Sequence, residues 1–245
     1  EITVRDWSSD VCSSDLQSRK LSPQTIKHCI SLLQRVLNFS IHYGLCDMAI
    51  PKIRLRSYDN RRVRFLSKSE ARKLLEELRP NLLWYDIAAI ALYTGLRAGE
   101  IFSLQQSSLD IQNKYVHVFD TKSSLNRSVH LNTPALEILQ RHVCLNRPYL
   151  FFNDQTCSPI RFVSRIFTSA VERAGLNPPD VDRRNKVVFH TLRHTFASWL
   201  VQDGILLAVV AQLLGHANIR MTMRYAHLAP GQGYSAVEKI GRAHV

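Results

Sequence analysis

The sequence lacks any run of about 18 apolar residues, so it offers no segment able to cross a bilayer as a helix. Its first residues have neither the basic nor the apolar stretch of a secretory signal, and the protein is expected to be cytoplasmic, with no membrane partner. Cysteine is scarce and unpaired: Cys12, Cys29, Cys46, Cys144 and Cys157 show no CxxC spacing, which argues against both a zinc site and a disulfide framework. Repeats and low-complexity stretches are absent. Acidic residues are also in short supply, with 20 Asp and Glu against 32 Lys and Arg in 245 residues, a formal charge of +12. The basic residues are spread along the chain rather than gathered in a tail, which points to a polyanionic partner, nucleic acid first. An apolar fraction of 45% is enough to bury a sizeable core.

The two ends share a property that comes from the genetic code. "DVCSSD" at 10–15 can be encoded as GAC GTG TGC TCT TCC GAT, and the reverse complement of that DNA reads "IGRAHV", residues 240–245. One oligomer in opposite orientations would encode both, and it resembles a common sequencing-library adapter. Residues 1–16 and 240–245 are therefore read as adapter-derived and non-native, with the natural gene extending upstream of residue 17. Residues 1–16 carry Arg5 against Glu1, Asp6, Asp10 and Asp15, and 240–245 carry Arg242, so 17–239 bear a formal charge of +14.

Along the rest, Ser22 and Pro23 begin a helix whose apolar residues, from Ile26 to Ile41, keep near-helical spacing up to Gly44. This stretch, 17–50, reads as the end of a small helical domain, and the aperiodic basic stretch 51–65 as a linker. Ser67 and Glu70 form a capping box that starts a helix over 68–78. The almost wholly apolar "LLWYDIAAIALYTG" predicts a core helix ending at Gly95. "YVHVF" (115–119) and "RSVHL" (127–131) flank "DTKSSLN" in a hairpin pattern whose loop exposes Lys122. Helices are expected at 134–146, 159–174, 191–203, 206–214 and 219–224. Tyr43 and Tyr93 read as core aromatics, and Leu213, Leu214, Met221 and Met223 as packing for the last helices.

Several residues fit poorly as mere structure. Arg97 lies just past Gly95 in apolar surroundings, where a guanidinium needs an anion to offset its desolvation, whether Glu100 one turn on or a ligand. His190 and Arg193 stand on one helix face beside Leu192, Phe196, Trp199 and Leu200. Two guanidinium forks and an imidazole suffice to surround a phosphate with charge-assisted hydrogen bonds. His216 falls in the turn after Gly215, and Tyr225 follows a short helix capped by Asn218. A tyrosine is a competent nucleophile when the phosphorus it attacks is held by such groups.

In this order the motifs resemble those of the tyrosine recombinases, or phage integrase family, over about residues 20–238. "TGLRAGE" is similar to that family's first arginine box and "TKSSLNRSVHL" to its lysine hairpin, while "HTLRH", "LLGH" and "MRYAH" are similar to its later boxes. Two positions depart from the pattern, Thr191 where the family has Asp and His130 where it has Pro. The resemblance implies a mainly α fold with a small antiparallel sheet (α+β): a catalytic domain over 66–239 with a three-stranded sheet at one edge, preceded by part of a helical core-binding domain. It further implies that Tyr225 attacks a DNA phosphodiester to form a 3′-phosphotyrosyl link, that Arg97, Arg193 and His216 hold the non-bridging oxygens, and that Lys122 protonates the leaving 5′-oxygen. His190 would assist proton movement at the nucleophile, Glu100 would position Arg97 or His190, and His194 would pack behind them. Site-specific recombination or integration of double-stranded DNA follows, by a homotetramer on two sites, with accessory DNA-bending proteins and with no metal, ATP or other cofactor.

Two other readings are kept beside it. A helix-turn-helix regulator would explain the charge and the short helices of "DGILLAVVAQLLGHANIRMTMRY", yet leaves Arg97, Lys122 and Tyr225 without a shared purpose. A type IB topoisomerase would share the chemistry without exchanging strands. Metal binding by His190 and His194 is disfavoured, because the glutamate of HExxH is missing.

Overall fold

The computed structural model describes residues 21–46, 64–119, 126–144, 147–153 and 158–230. The chain divides into two units, Glu1–Arg62 and Val63–Val245. Most of the stretch expected to be a linker, and the loop bearing Lys122, lie outside the described residues.

In the first unit, helix α1 (Pro23–His42) starts as its sequence predicts: the Ser22 hydroxyl accepts from the Thr25 amide and Pro23 takes the first turn, where a missing N–H costs nothing. Its apolar stripe is another matter. Ile30 is buried, but Leu32, Val36, Phe39 and Ile41 are exposed. Tyr43, expected in a core, is also exposed, its ring centroid 4.4 Å from that of Phe39 and 5.0 Å from that of His42.

The second unit is built around two helices. Helix α2 (Lys68–Leu78) opens with the reciprocal capping box of Ser67 and Glu70 and buries Ala71, Leu74 and Leu78. Helix α3 (Leu82–Thr94) is apolar on nearly every side and buried over most of its length, as suits a helix packed into the core. Its buried Asp86 is held by Arg141 Nη2 at 2.7 Å and His142 Nε2 at 2.8 Å. A short helix α4 (Ala98–Phe102) leads to the sheet β1 (Leu109–Asp110), β2 (Tyr115–Val118) and β3 (Arg127–His130), antiparallel in the order β1-β2-β3. Val116 and Val129 pair across it and face the core, while Ser128 and His130 face outward.

Helix α5 (Thr133–Arg141) is shorter than expected, because the chain turns at His142 to reach Asp86. A two-stranded ribbon, β4 (Phe152–Asn153) with β5 (Ser158–Pro159), occupies the place where a helix was expected to start. Pro159 belongs to that ribbon, and Ser164 is the residue that caps the following helix α6 (Arg165–Arg173).

Helix α7 (Phe189–Gln202) lies along α3 and buries Leu192, Ala197 and Val201. Two hydrogen bonds tie it to the start of the unit: the Leu66 amide donates to Thr195 Oγ1 at 2.9 Å, and Trp199 Nε1 donates to the Leu66 carbonyl at 3.0 Å. Helix α8 (Leu207–Leu214) and two 3₁₀ turns, Ile219–Met221 and Met223–Leu228, complete the unit. Met221 and Met223, expected to pack these last elements, are half exposed, whereas Leu214 is fully buried. Among the described residues no helix is long and apolar enough to cross a membrane.

Candidate active site

Helix α3 ends because Gly95 adopts φ +67°, a left-handed conformation that costs glycine little and other residues more. A Cβ there would also meet the Phe196 ring. The sharp turn sets Arg97 at the N-terminus of α4, where its amide donates to Glu100 Oε2 at 2.8 Å and its Nη1 to Glu100 Oε1 at 2.7 Å. Arg97 is still about one-third exposed, its side chain at 36%, so it can meet a ligand from solvent.

Arg193 comes from α7 and is buried. Its Nη1 donates to the Gly95 carbonyl at 2.7 Å and its Nη2 to the Leu214 carbonyl at 2.6 Å. Both carbonyls sit at helix C-termini, where the backbone has no partner of its own. One guanidinium thereby joins the turn two residues before Arg97 to the turn two residues before His216. Burial, and then the charge of Arg97, lower its pKa to about 10, which leaves it a cation at neutral pH.

The sequence reading overlooked Arg127. From β3 it grips Glu100 with both arms, Nη1 to Oε1 at 2.9 Å and Nη2 to Oε2 at 2.8 Å. Its guanidinium lies against Gly215, where a Cβ would come within 2.7 Å of it, and its Nε is buried with no hydrogen-bond partner. Glu100 therefore serves Arg97 and Arg127 together, with Arg193 Nη1 a further 3.9 Å away. Burial pushes the Glu100 carboxyl up, but the bonds from Arg127 and Arg97 outweigh it and hold the group below the usual carboxylate range. Three guanidinium groups against one carboxylate leave a local excess of positive charge, the electrostatic signature of a site for an anion. The signal in the sequence was the period of β3: Arg127 precedes the core-facing Val129 by two and so shares its face.

His216 follows Gly215, itself at φ +64°, and its Nδ1 is 2.8 Å from Thr222 Oγ1. Burial first, then the charges of Arg193, Arg97 and Arg127, push it down to about 4, so it stays neutral at physiological pH. Tyr225 is 6% exposed, its ring held in a small cluster with Ala197, Val201, Val210 and Leu214. Its hydroxyl lies 2.5 Å from His194 Nδ1. Burial raises the Tyr225 pKa, and the charges of Arg224 and Arg193 oppose the rise. His190 is exposed on α7, its ring edge-on to that of His194 with centroids 4.7 Å apart.

Of the residues singled out from sequence, the fold brings Arg97, Glu100, Arg193, His194, His216 and Tyr225 to the junction of α3, α4, α7 and α8, with His190 beside His194. Lys122 lies outside the described residues. Among those residues no cluster of three His, Cys, Asp or Glu side chains is arranged to hold a metal.

The profile of the phage integrase family matches residues 64–232. The integrase of Salmonella phage P22 is 33% identical over 189 residues, covering 74% of this chain and 48% of that protein, so the chain spans about half the length of this relative. The catalytic domain of the bacteriophage HP1 integrase is 34% identical, with a TM-score of 0.55 over 71% of this chain and 94% of that one. The Tn1549 transposon integrase, solved in complex with transposon right-end DNA, shares the fold at a TM-score of 0.75 and 20% identity, over 97% of this chain and 84% of its own. With these likenesses and a family match across most of its length, the chain belongs to the phage integrase family.

Proposed function

We propose that the protein is a site-specific DNA recombinase that cuts and rejoins duplex DNA through a 3′-phosphotyrosyl intermediate. The observation that carries this reading is the convergence on α7 of a buried tyrosine hydroxyl and a pinned arginine, beside a second arginine open to solvent. Tyr225 Oη attacks the phosphorus as the bond to the 5′-oxygen breaks. Arg97 and Arg193 stabilise charge developing on the non-bridging oxygens, and neutral His216 donates a further hydrogen bond. Glu100 and Arg127 hold Arg97 in place. Lys122, whose place in the sequence falls between β2 and β3, protonates the leaving 5′-oxygen, and His190 assists proton movement on the tyrosine side. The tyrosyl ester retains the free energy of the phosphodiester, so the reverse attack by a 5′-hydroxyl rejoins the strand without ATP.

The substrate is double-stranded DNA. The basic charge of the chain supports this, as does the Tn1549 integrase, solved on DNA with the same fold. Recombination would join two sites held by a tetramer, with DNA-bending proteins assisting, in the cytoplasm where such DNA resides. The test is a duplex nicked so that a short fragment is lost on cleavage and rejoining is blocked. Protein-linked DNA should accumulate after denaturation and be absent with Tyr225→Phe. Binding without any link, on every candidate attachment site, would replace the recombinase by a DNA-binding regulator.

A further inference from the structure

We propose, resting on the recombinase reading above, that His194 is the group that takes the proton from Tyr225 as the nucleophile attacks. This assigns direct contact with the nucleophile to a residue that was expected only to pack behind the site. Its Nδ1 lies 2.5 Å from the tyrosine hydroxyl, within reach for a single proton transfer. Both residues are 6% exposed, so the pair lies largely out of contact with bulk water. His190, by contrast, is exposed, and the ring it meets is that of His194.

The surroundings fit the task. His194 follows Arg193, whose fork is fixed to the Gly95 and Leu214 carbonyls, so the backbone that carries the imidazole is fixed as well. Arg193 and Arg224 lower the cost of negative charge on the Tyr225 oxygen, in opposition to its burial. A neutral imidazole with its proton on Nε2 presents Nδ1 as the acceptor.

The step balances. The Tyr225 proton moves to His194 Nδ1, the Oη–P bond forms, the P–O5′ bond breaks, and the 5′-oxygen takes a proton from Lys122. His194, now a cation, lies one ring from solvent through His190. Rejoining runs the same transfers backwards, with the His194 cation protonating the departing tyrosine oxygen. The competing explanation of the short contact is a latch that only parks the tyrosine when no DNA is bound.

The experiment compares covalent-link formation by the parent chain, His194→Asn, His194→Ala and Tyr225→Phe from pH 6 to 9. The substrates are an oxygen-bridged duplex and one with sulfur in place of the scissile 5′-oxygen. Asparagine can keep a hydrogen bond to Tyr225 but is no base. Loss of a general base typically slows the step about 100-fold or more, and both His194 variants should show it at neutral pH. The deficit should shrink as pH rises, because hydroxide replaces the lost base. It should persist on the sulfur substrate, whose leaving group needs no acid, and added imidazole should restore part of the rate to His194→Ala.

A parent-like or faster rate in His194→Asn, or a loss that the sulfur substrate abolishes, would overturn the assignment. The first result would reveal a latch and the second a role at the leaving group. If His194→Ala fails to fold, His194→Asn and its pH profile decide alone. Absence of any Tyr225-dependent link with the parent chain would refute the recombinase reading itself, which separates the two failures.

Discussion

Replacing Arg127 with alanine should destabilise the second unit by leaving the buried Glu100 without its bidentate partner. The side chain of Arg127 is 14% exposed and that of Glu100 8%, and the two share a pair of bonds at 2.8 and 2.9 Å. Breaking a buried ion pair from one side costs about 3–5 kcal/mol, because the remaining charge stays buried without its partner. Glu100 still keeps the Arg97 amide and Nη1, so the expected cost falls to about 2–3 kcal/mol. With a urea m-value of about 2–3 kcal/mol/M for a unit of this size, the unfolding midpoint should drop by about 1 M. Arg127→Lys keeps the charge but not the fork and should recover less than half of the loss. Combining Arg127→Ala with Glu100→Gln should cost less than the sum of the two single changes, by about 0.5–3 kcal/mol, since the partners are in contact. A midpoint unchanged by Arg127→Ala would mean that Glu100 is satisfied by Arg97 alone, and that the hairpin is not tied to the arginine turn in the way described.

Other consequences follow from the same contacts. Gly95→Ala combines a left-handed backbone, costing about 1–2 kcal/mol, with a clash against the Phe196 ring, so thermal unfolding should show a loss of about 2–4 kcal/mol. Acid should destabilise the chain in two windows. His216 binds its proton near 6.5 when unfolded and only near 4 when native, so the unfolded state gains protons first and stability falls as pH drops from about 6.5 to 4. Glu100, held below its ordinary value when folded, adds a loss in the same direction at lower pH. The slope of stability against pH checks this, and His216→Gln should flatten the upper window. Trp199→Phe removes the bond to the Leu66 carbonyl and should cost about 1 kcal/mol or more, with earlier proteolysis near residue 66 as the readout.

What could be read from the sequence was what local rules decide. The Ser67–Glu70 box, the Asn218 cap and the helix stops at Gly95 and Gly215 each involve residues within about one turn of each other, and each stands as expected. Glu100 was likewise visible as a partner of Arg97, three residues away. Contacts across long separations were not. Arg127 meets Glu100 only because the hairpin folds back over α4, and His194 meets Tyr225 only because the last turns return to α7. The β4–β5 ribbon has two residues per strand, too few for a period, and so Pro159 was mistaken for the start of a helix. Met221 and Met223 read as packing residues because they are apolar, but short 3₁₀ turns have too little inward face to bury every apolar side chain.

The central claim is that Tyr225 becomes covalently joined to DNA. The most direct measurement digests the trapped complex with nuclease and trypsin and maps the nucleotide by mass spectrometry. The segment Tyr225–Lys239 contains two tyrosines, Tyr225 and Tyr234, which fragmentation distinguishes. The account predicts a nucleotide adduct on Tyr225, linked through a 3′-phosphate and missing from Tyr225→Phe. An adduct on Tyr234, or on any serine or lysine, would contradict it, because the arginine pair and the histidines would then be arranged around the wrong oxygen.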